Sequence, residues 1–143
     1  MAVRGGERGQ MTVELAVTFP ALLIVAVVAV NALTFFSECA AFDNAFREAV
    51  RVYATSPAYG QDLSDSKGLV EDALEAAFEE ENLAVSVAVE SVSGGYAVFS
   101  GTLSFSPTLF GMGLIDSVLG VELPRLSHTV SLTVDVYKPG VLV

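Results

Sequence analysis

The stretch that decides the fold reads Gly9-Gln10-Met11-Thr12-Val13-Glu14-Leu15, after which the chain stays apolar as far as Phe36. The run from Leu15 to Phe36 carries no charge, and its only interruptions are Thr18, Pro20, Asn31 and Thr34. About 22 residues at ~1.5 Å per residue are enough to cross a hydrocarbon core of roughly 30 Å. The sequence therefore predicts one membrane-spanning helix over residues 10–36, with the lipid bilayer as its partner.

A carboxylate stands at the edge of this run. Glu14 is the first charge upstream of it, and a carboxylate in or beside a bilayer is costly unless it finds a partner. The preceding residues Arg4, Glu7 and Arg8 give a short leader with net positive charge, which favours the cytoplasmic side. Two interpretations remain open here: an ordinary anchor whose Glu14 lies idle among the headgroups, or an anchor in which Glu14 has a role.

Export signals of other kinds fit this start poorly. The hydrophobic region of a secretory signal peptide is about 7–15 residues, shorter than this run, and Cys39-Ala40-Ala41 is a poor cleavage site. A lipoprotein signal needs a small residue before the cysteine, where this chain has Glu38. The apolar run is therefore expected to remain in the mature protein.

A glycine five residues before a glutamate, followed at once by an apolar run, resembles the start of type IV prepilins. Such chains are cut after the glycine, on the cytoplasmic side, and the mature chain has glutamate as its fifth residue. Cleavage between Gly9 and Gln10 would give Glu14 that position. The leader would then be residues 1–9.

Within that class the chain is most similar to the TadE-like minor pilins, or pseudopilins, of tight-adherence (Flp-type) pilus systems. The resemblance is carried by Gly9–Ala16, by Pro20 with Ala21-Leu22-Leu23 after it, and by Ala45–Arg51. It ends at about Thr55, beyond which only the architecture is similar. Leu15 replaces the phenylalanine that is common after the glutamate in this family.

The resemblance implies a role in assembly. A prepilin peptidase would remove the leader and free a positive amino group on Gln10, which could pair with Glu14 of a neighbouring or the same chain. Implied partners are other major and minor pilins and the inner-membrane assembly platform, in cell adhesion or secretion. The N-terminus would be cytoplasmic, residues 37–143 would form an extracytoplasmic headpiece, and the assembled subunit would lie in a pilus at the cell surface. No cofactor is implied.

Composition agrees with one small anchored domain. The chain has 143 residues, of which 52% are hydrophobic and 17% charged, and its net charge is -10. The residues beyond the membrane suffice for one modest core. An acidic chain does not suit a phosphate backbone, so no nucleic-acid partner is expected. The single Cys39 excludes an internal disulfide framework.

The apolar run continues without a break into a second helical segment. Ser37 to Ala54 contains no glycine or proline, and Thr55-Ser56-Pro57 provides a stop, which together predict one helix from about Thr12 to Ala54. Pro20 is expected to kink it. One face carries a packing stripe, which would lie on the headpiece core or on neighbouring helices: Phe35, Cys39, Phe42, Phe46, Ala49 and Tyr53.

The remaining residues predict a second helix and a sheet. Ala58–Lys67 reads as a loop, and Ser66 would cap a helix from about Lys67 to Glu81 that ends in the solvated carboxylates Glu79-Glu80-Glu81. Period-two alternation then predicts a hairpin, turning at Ser93-Gly94-Gly95, and a third strand. The inward residues would be Leu83, Val85, Val87 and Val89, then Ala97, Phe99, Leu103 and Phe105, then Leu126, His128, Val130, Leu132, Val134 and Val136.

The expected fold class is therefore α+β: a long N-terminal transmembrane helix that continues into a small domain, where a second helix packs on a three-stranded antiparallel sheet. The connection from Pro107 to Pro124 is unusually apolar for a loop. It is expected either to pack as a short helix in the core or to form a contact patch for another subunit.

No catalytic or metal-binding pattern stands out, so the chain is not expected to be an enzyme or to hold a metal. His128 is the only histidine and lies on the apolar face of a strand, which favours a core or edge position. Two other functions remain open: a single-pass binding or sensing module of the cell envelope unrelated to pili, and an exported domain released by cleavage after the membrane run.

Overall fold

The computed structural model describes residues 5–55 and 60–136, without the side chains of residues 5–7 and Ser91. The leader residue Arg4, the turn residues Ser56-Pro57 and the predicted strand end at Tyr137 lie outside the described residues. In chain order the elements are α1 (Gly5–Tyr53), α2 (Leu63–Ala77), β1 (Leu83–Val92), β2 (Tyr96–Phe105), β3 (Ser117–Val118), β4 (Val121–Glu122) and β5 (Leu126–Asp135). This is the predicted α+β arrangement of a long apolar helix, a second helix and a three-stranded antiparallel sheet.

Helix α1 contains 49 residues and continues through Pro20. At the ordinary helical rise it is about 74 Å long. The predicted start at Thr12 is wrong, because the helix already includes Gly5. Thr12 lies inside it, with its hydroxyl donating to the carbonyl of Arg8 at 2.9 Å rather than capping the first turn. The leader has no apolar periodicity, so pattern alone gave no reason to extend the helix into it.

The three long strands form one antiparallel sheet in the order β1-β2-β5. Val89 is paired with Phe99, and Phe99 with Leu132, so the apolar positions of all three strands share one face. The predicted alternation is confirmed: the inward set is buried or half-buried, whereas the opposite face exposes mainly serine, threonine and alanine. The hairpin turn uses Gly94 and Gly95 at φ 97° and 85°.

Both helices cover the apolar face of the sheet. The second half of α1 lies over β2 and β5, and α2 lies over β1 and against α1. The core contains large aromatic residues, with the rings of Phe42 and Phe46 stacked at 6.1 Å and the ring of Phe78 edge-on to Phe42 at 5.6 Å. The headpiece is thus built around one half of α1, and the other half extends away from it.

Helix α2 begins and ends four residues earlier than predicted, at Leu63 and Ala77 rather than Lys67 and Glu81. Its cap is Asp62, not Ser66: the Asp62 carboxylate accepts from the amide of Asp65 at 2.9 Å, and Asp65 accepts from the amide of Asp62 at 3.1 Å. This reciprocal capping box satisfies two amides at the helix start. Ser66 is instead buried inside the helix, and Glu79-Glu80-Glu81 follow the helix rather than end it.

The apolar connection after β2 contains no helix, which excludes the first of its two expected forms, a short core helix. The second, a contact patch for another subunit, stays a prediction. It forms two consecutive turns. The first is closed by a bridge between Thr108 and Leu114, and the second by the pairing of β3 with β4. Gly111, Gly113 and Gly120 have φ values of 79°, 155° and 82°, which a right-handed helix does not allow.

Candidate functional site: the exposed half of helix α1

The stretch of α1 from Arg8 to Ala26 is largely uncovered by the rest of the described structure. From Arg8 to Ala26 no side chain is buried, although most of these residues are apolar. Met11 and Val17 are 70% and 72% exposed. By length and composition alone, this helix could cross a membrane. An apolar surface of this extent is rare on a soluble monomer and marks a site of contact with lipid or protein.

The predicted processing site lies at the exposed start of this half. Gly9 and Gln10 are both exposed, and a Cβ placed on Gly9 would meet nothing within 4 Å. The Gly9–Gln10 bond lies within the helix, but Gly5, Gly6 and Gly9 all fall in its first turns. Each glycine weakens a helix by roughly 0.5–1 kcal/mol relative to alanine. The backbone at this site is therefore accessible, and unwinding it costs less free energy than unwinding a helix without these glycines.

Glu14 lies one helical turn beyond Gln10, on the same side of α1. The Gln10 Nε2 amide donates to Glu14 Oε1 over a long 3.5 Å. No lysine, arginine or histidine forms an ion pair with Glu14 within residues 8–55 and 60–136. A shallow groove surrounds it, lined by Met11, Thr12, Glu14, Leu15 and Thr18. The carboxylate is therefore open to a partner group that comes from the position of Gln10 or from outside the chain.

Pro20 lies inside the continuous helix. Because proline has no amide hydrogen, it cannot donate to the carbonyl one turn earlier, at Ala16. The helix absorbs this missing bond without ending. The kink expected at Pro20 stays a prediction.

The structure places the packing stripe on the chain's own headpiece. Phe42, Phe46 and Ala49 are buried in its core, and Phe35 and Tyr53 pack against that core. Phe35 contacts the ring of Phe105 at a centroid distance of 5.7 Å. The stripe therefore fixes the headpiece to α1, whereas the stretch from Arg8 to Ala26 keeps its apolar side chains unburied.

Cys39 is half-buried and unpaired on the same side of the helix. Burial, followed by the nearby carboxylates of Asp43 and Glu38, raises the pKa of its thiol. Because the thiolate is the reactive form, these surroundings make Cys39 a poor nucleophile.

Asn31 is a residue that sequence reasoning treated only as an interruption of the apolar run. It is 7% exposed. Its amide Nδ2 donates to the carbonyls of Val27 and Thr108 at 2.8 Å each, and its Oδ1 accepts from the Thr108 amide at 2.8 Å. The side chain thus pairs with both backbone groups of Thr108 as a strand would. The only signal in the sequence was that a polar side chain in an apolar run needs a partner.

His128 joins β5 to α1. Its Nε2 lies 2.8 Å from Asp43 Oδ1, and both side chains are about one-third exposed. This pair ties the sheet edge to the helix at the border of the core, which is the edge position expected for His128. Across the described residues, no group of three or more histidine, cysteine or carboxylate side chains could hold a metal ion.

Comparison with known proteins adds no relative to these observations. No protein-family model, no curated protein and no solved structure matches the chain.

Proposed function

We propose that this chain is a minor pilin, or pseudopilin, of a TadE-like type IV pilus system of the tight-adherence class. A prepilin peptidase would cut it after Gly9, and the mature subunit would assemble through the first half of α1. It would lie in the cytoplasmic membrane as a single-pass protein, with its N-terminus cytoplasmic and its headpiece outside. Its partners would be other pilins and the membrane assembly platform.

The observation that carries this proposal is the division of α1 into two unlike halves. One half is packed on a folded domain, whereas the stretch from Arg8 to Ala26 has no buried side chain. A helix that served only its own domain would bury an apolar face along its length. The exposed apolar half suits a bilayer before assembly and a bundle of like helices after it.

The surroundings of Glu14 support the register role that the resemblance implies. Its carboxylate lies within reach of the side chain of Gln10, one turn away. Removal of the leader would add a positive amino group at that residue. In an apolar bundle an unpaired carboxylate is strongly unfavourable, whereas a carboxylate paired with an amine is much less so. The pair would therefore specify how far one helix lies along its neighbour.

The first test is the N-terminus of the protein taken from the membranes of its native cells. We expect Gln10 as the first residue, and a mass lower than that of the full chain by residues 1–9. Gly9→Val should block this shortening, because the branched side chain obstructs the cut bond. Gly6→Val is the matched control and should be processed normally. A mature chain that still begins at Met1 would overturn the proposal and leave an ordinary anchor.

The second test separates assembly from membrane insertion. Glu14→Ala should leave the chain in the membrane fraction but reduce its recovery with pili or with cross-linked pilin partners. Glu75→Ala changes an exposed carboxylate on α2 and serves as the control. Incorporation of Glu14→Ala at the level of this control would contradict the register role.

A further inference from the structure

The turn after β2 is fixed to α1 at a depth that the membrane helix defines. Thr108 is bound through both of its backbone groups to Asn31, three residues before the end of a core-length segment. Counted from Leu15, about 20 residues at ~1.5 Å per residue span the hydrocarbon and end at Thr34. Asn31 therefore lies about 4.5 Å inside that boundary. The headpiece reaches down to the membrane at this point.

The segment Leu109–Ile115, called here the apolar loop, projects from that attachment. The Leu109 amide donates to the Gly113 carbonyl at 3.0 Å, and the Gly111 amide donates to Thr108 Oγ1 at 3.1 Å. These bonds hold the tip of the loop close to Thr108. None of its seven residues is charged, and its most exposed side chains are Met112 at 78%, Leu114 at 49% and Phe110 at 43%.

The tip of the apolar loop carries a large side chain where the backbone disfavours one. Phe110 has a φ of 50°, a left-handed conformation that glycine and asparagine adopt more easily. The next turn repeats this feature with Leu119 at φ 47°. Strained positions of this kind are a reason to look for a function. At Phe110 the strain places an exposed aromatic ring at the end of a turn.

The exposed apolar side chains of the loop have counterparts on α1 around Asn31, the residue that holds Thr108. Val28, Val30, Leu33 and Phe36, which flank Asn31 along the helix, are exposed large hydrophobic residues. The cleft behind the loop is lined on its other side by Glu80, Glu81 and Asn82. Burial raises the pKa of Glu38, and the nearby carboxylate of Glu80 raises it further. Glu38 lies about 6 Å beyond Thr34 by the helical rise, which is the level of the headgroups.

We propose that the apolar loop inserts into the outer leaflet of the bilayer beside α1, at the boundary between headgroups and acyl chains. This inference rests on the membrane anchoring in the proposed function. Three observations favour lipid as the occupant: the position of Asn31 along the helix, the uncharged tip of the loop, and the exposed apolar residues of α1 beside Asn31. Lipid is what surrounds a single-pass helix at that depth. Amphipathic helices that lie in this zone bury their apolar face by about 5–10 Å, a depth comparable to the one proposed for the loop. The loop would set the height and tilt of the headpiece above the membrane.

The chain contains no tryptophan, so a single introduced tryptophan reports its own surroundings. Met112→Trp places the probe on the loop, Leu22→Trp on the exposed half of α1, and Thr129→Trp on the outward face of the sheet. Each full-length variant is reconstituted at high dilution in palmitoyl-oleoyl phosphatidylcholine vesicles. Part of the lipid is replaced by phosphatidylcholine brominated either near the headgroup or near the chain end. Fluorescence is excited selectively at the indole.

We expect Met112→Trp to lose most of its emission to the shallow bromine and less to the deep one. Leu22→Trp should be quenched more strongly by the deep bromine, and Thr129→Trp by neither. Quenching of Leu22→Trp without quenching of Met112→Trp would overturn the loop inference and leave the membrane helix intact. Absence of quenching in both would overturn the anchoring as well. A Met112→Trp probe shielded from aqueous iodide but not quenched by lipid would show that protein covers the loop instead.

Phe110→Asn provides the second variant, and it is chosen so that the fold tolerates it. Asparagine suits the left-handed backbone at this position, so the thermal midpoint should not fall. In the Met112→Trp background the substitution should weaken shallow-bromine quenching, since the ring that enters the lipid is gone. Unchanged quenching would contradict the inference, as would a lowered midpoint, which would mean that the ring serves the fold.

Discussion

Gly101 of β2 lies directly against the ring of Phe46 of α1. A Cβ at this position would be 2.6 Å from Phe46 Cδ2 and 3.1 Å from the ring of Phe42. Gly101 is buried at the centre of the sheet, between Val87 and Val130. The absence of a side chain there allows α1 to approach the sheet, so one glycine sets the distance between the two layers of the headpiece.

Gly101→Ala should therefore destabilise the headpiece. The added methyl group must displace two fully buried rings, and overpacking of this kind costs about 1–3 kcal/mol. The measurement is chemical denaturation of the full chain in lipid nanodiscs, followed by near-ultraviolet circular dichroism.

Gly68→Ala is the matched control with the opposite expected sign. Gly68 lies inside α2, and a Cβ there would meet nothing within 4 Å. Alanine should stabilise the helix by about 0.5–1 kcal/mol relative to glycine. Equal effects of the two substitutions would show that Gly101 is not a contact-limiting position.

The capping box of α2 leads to a second prediction. Asp62→Ala removes the carboxylate that accepts from the Asp65 amide, and loss of such a cap costs about 0.5–2 kcal/mol. The same denaturation experiment measures it. Asp72→Ala, on the exposed side of the same helix, should change stability by less than about 0.5 kcal/mol. A loss for Asp62→Ala no larger than that of Asp72→Ala would exclude the cap as a stabilising element.

The three long strands could be predicted almost to the residue because their period-two pattern is unambiguous. In β5 every inward position from Leu126 to Val134 is apolar or is His128, and every outward position is serine, threonine or aspartate. A one-residue register slip would exchange the two sets, so the pattern fixes which side of each strand faces the core. The existence of α2 was likewise predicted. Its start was not, because Asp62 and Asp65 were read as loop residues rather than as a cap and its reciprocal partner.

The contacts of the candidate site could not be predicted from local sequence patterns. Asn31 and Thr108 are 77 residues apart, and His128 and Asp43 are 85 apart. Each contact pairs two ordinary polar residues, and nothing in either local sequence specifies the other. The helix alternative for the connection failed for a different reason: it was suggested by the apolar residues, whereas the glycines at positive φ decided the backbone. The roles of Gly9, Gln10 and Glu14 rest on the resemblance and stay predictions.

The Asn31–Thr108 pairing leads to a third prediction. Asn31→Ala would leave the amide and carbonyl of Thr108 without their partner in a half-buried place. An unsatisfied buried polar group costs about 1–3 kcal/mol. We expect faster hydrogen exchange at the Thr108 amide, with the exchange of β2 and β5 unchanged.

Thr34→Ala is the control for that experiment. Its hydroxyl donates only to the Val30 carbonyl of its own helix, at 2.9 Å, so its removal should leave Thr108 protected. Fast exchange of Thr108 in the unmodified chain would contradict the pairing itself.

The last prediction concerns pH. Burial raises the pKa of Glu38 above the ordinary value of 4.5, and the carboxylate of Glu80 raises it further. Between the ordinary and the raised value the folded chain binds more protons than the unfolded chain, so stability should fall as the pH rises through this window. Below the window Glu38 is protonated in both states, so folding does not have to bury a charged carboxylate. Above the window Glu38 is ionised in both states, and the free-energy cost of burying its charge is complete.

Glu38→Gln, which cannot ionise, should therefore raise the thermal midpoint at pH 7 and have little effect near pH 4. Glu75→Gln, at an exposed position on α2, should show no such difference between the two pH values. If Glu38→Gln raised the thermal midpoint equally at pH 7 and pH 4, the increase would not come from removing a charge. Burial would then leave the ionisation of Glu38 unaffected.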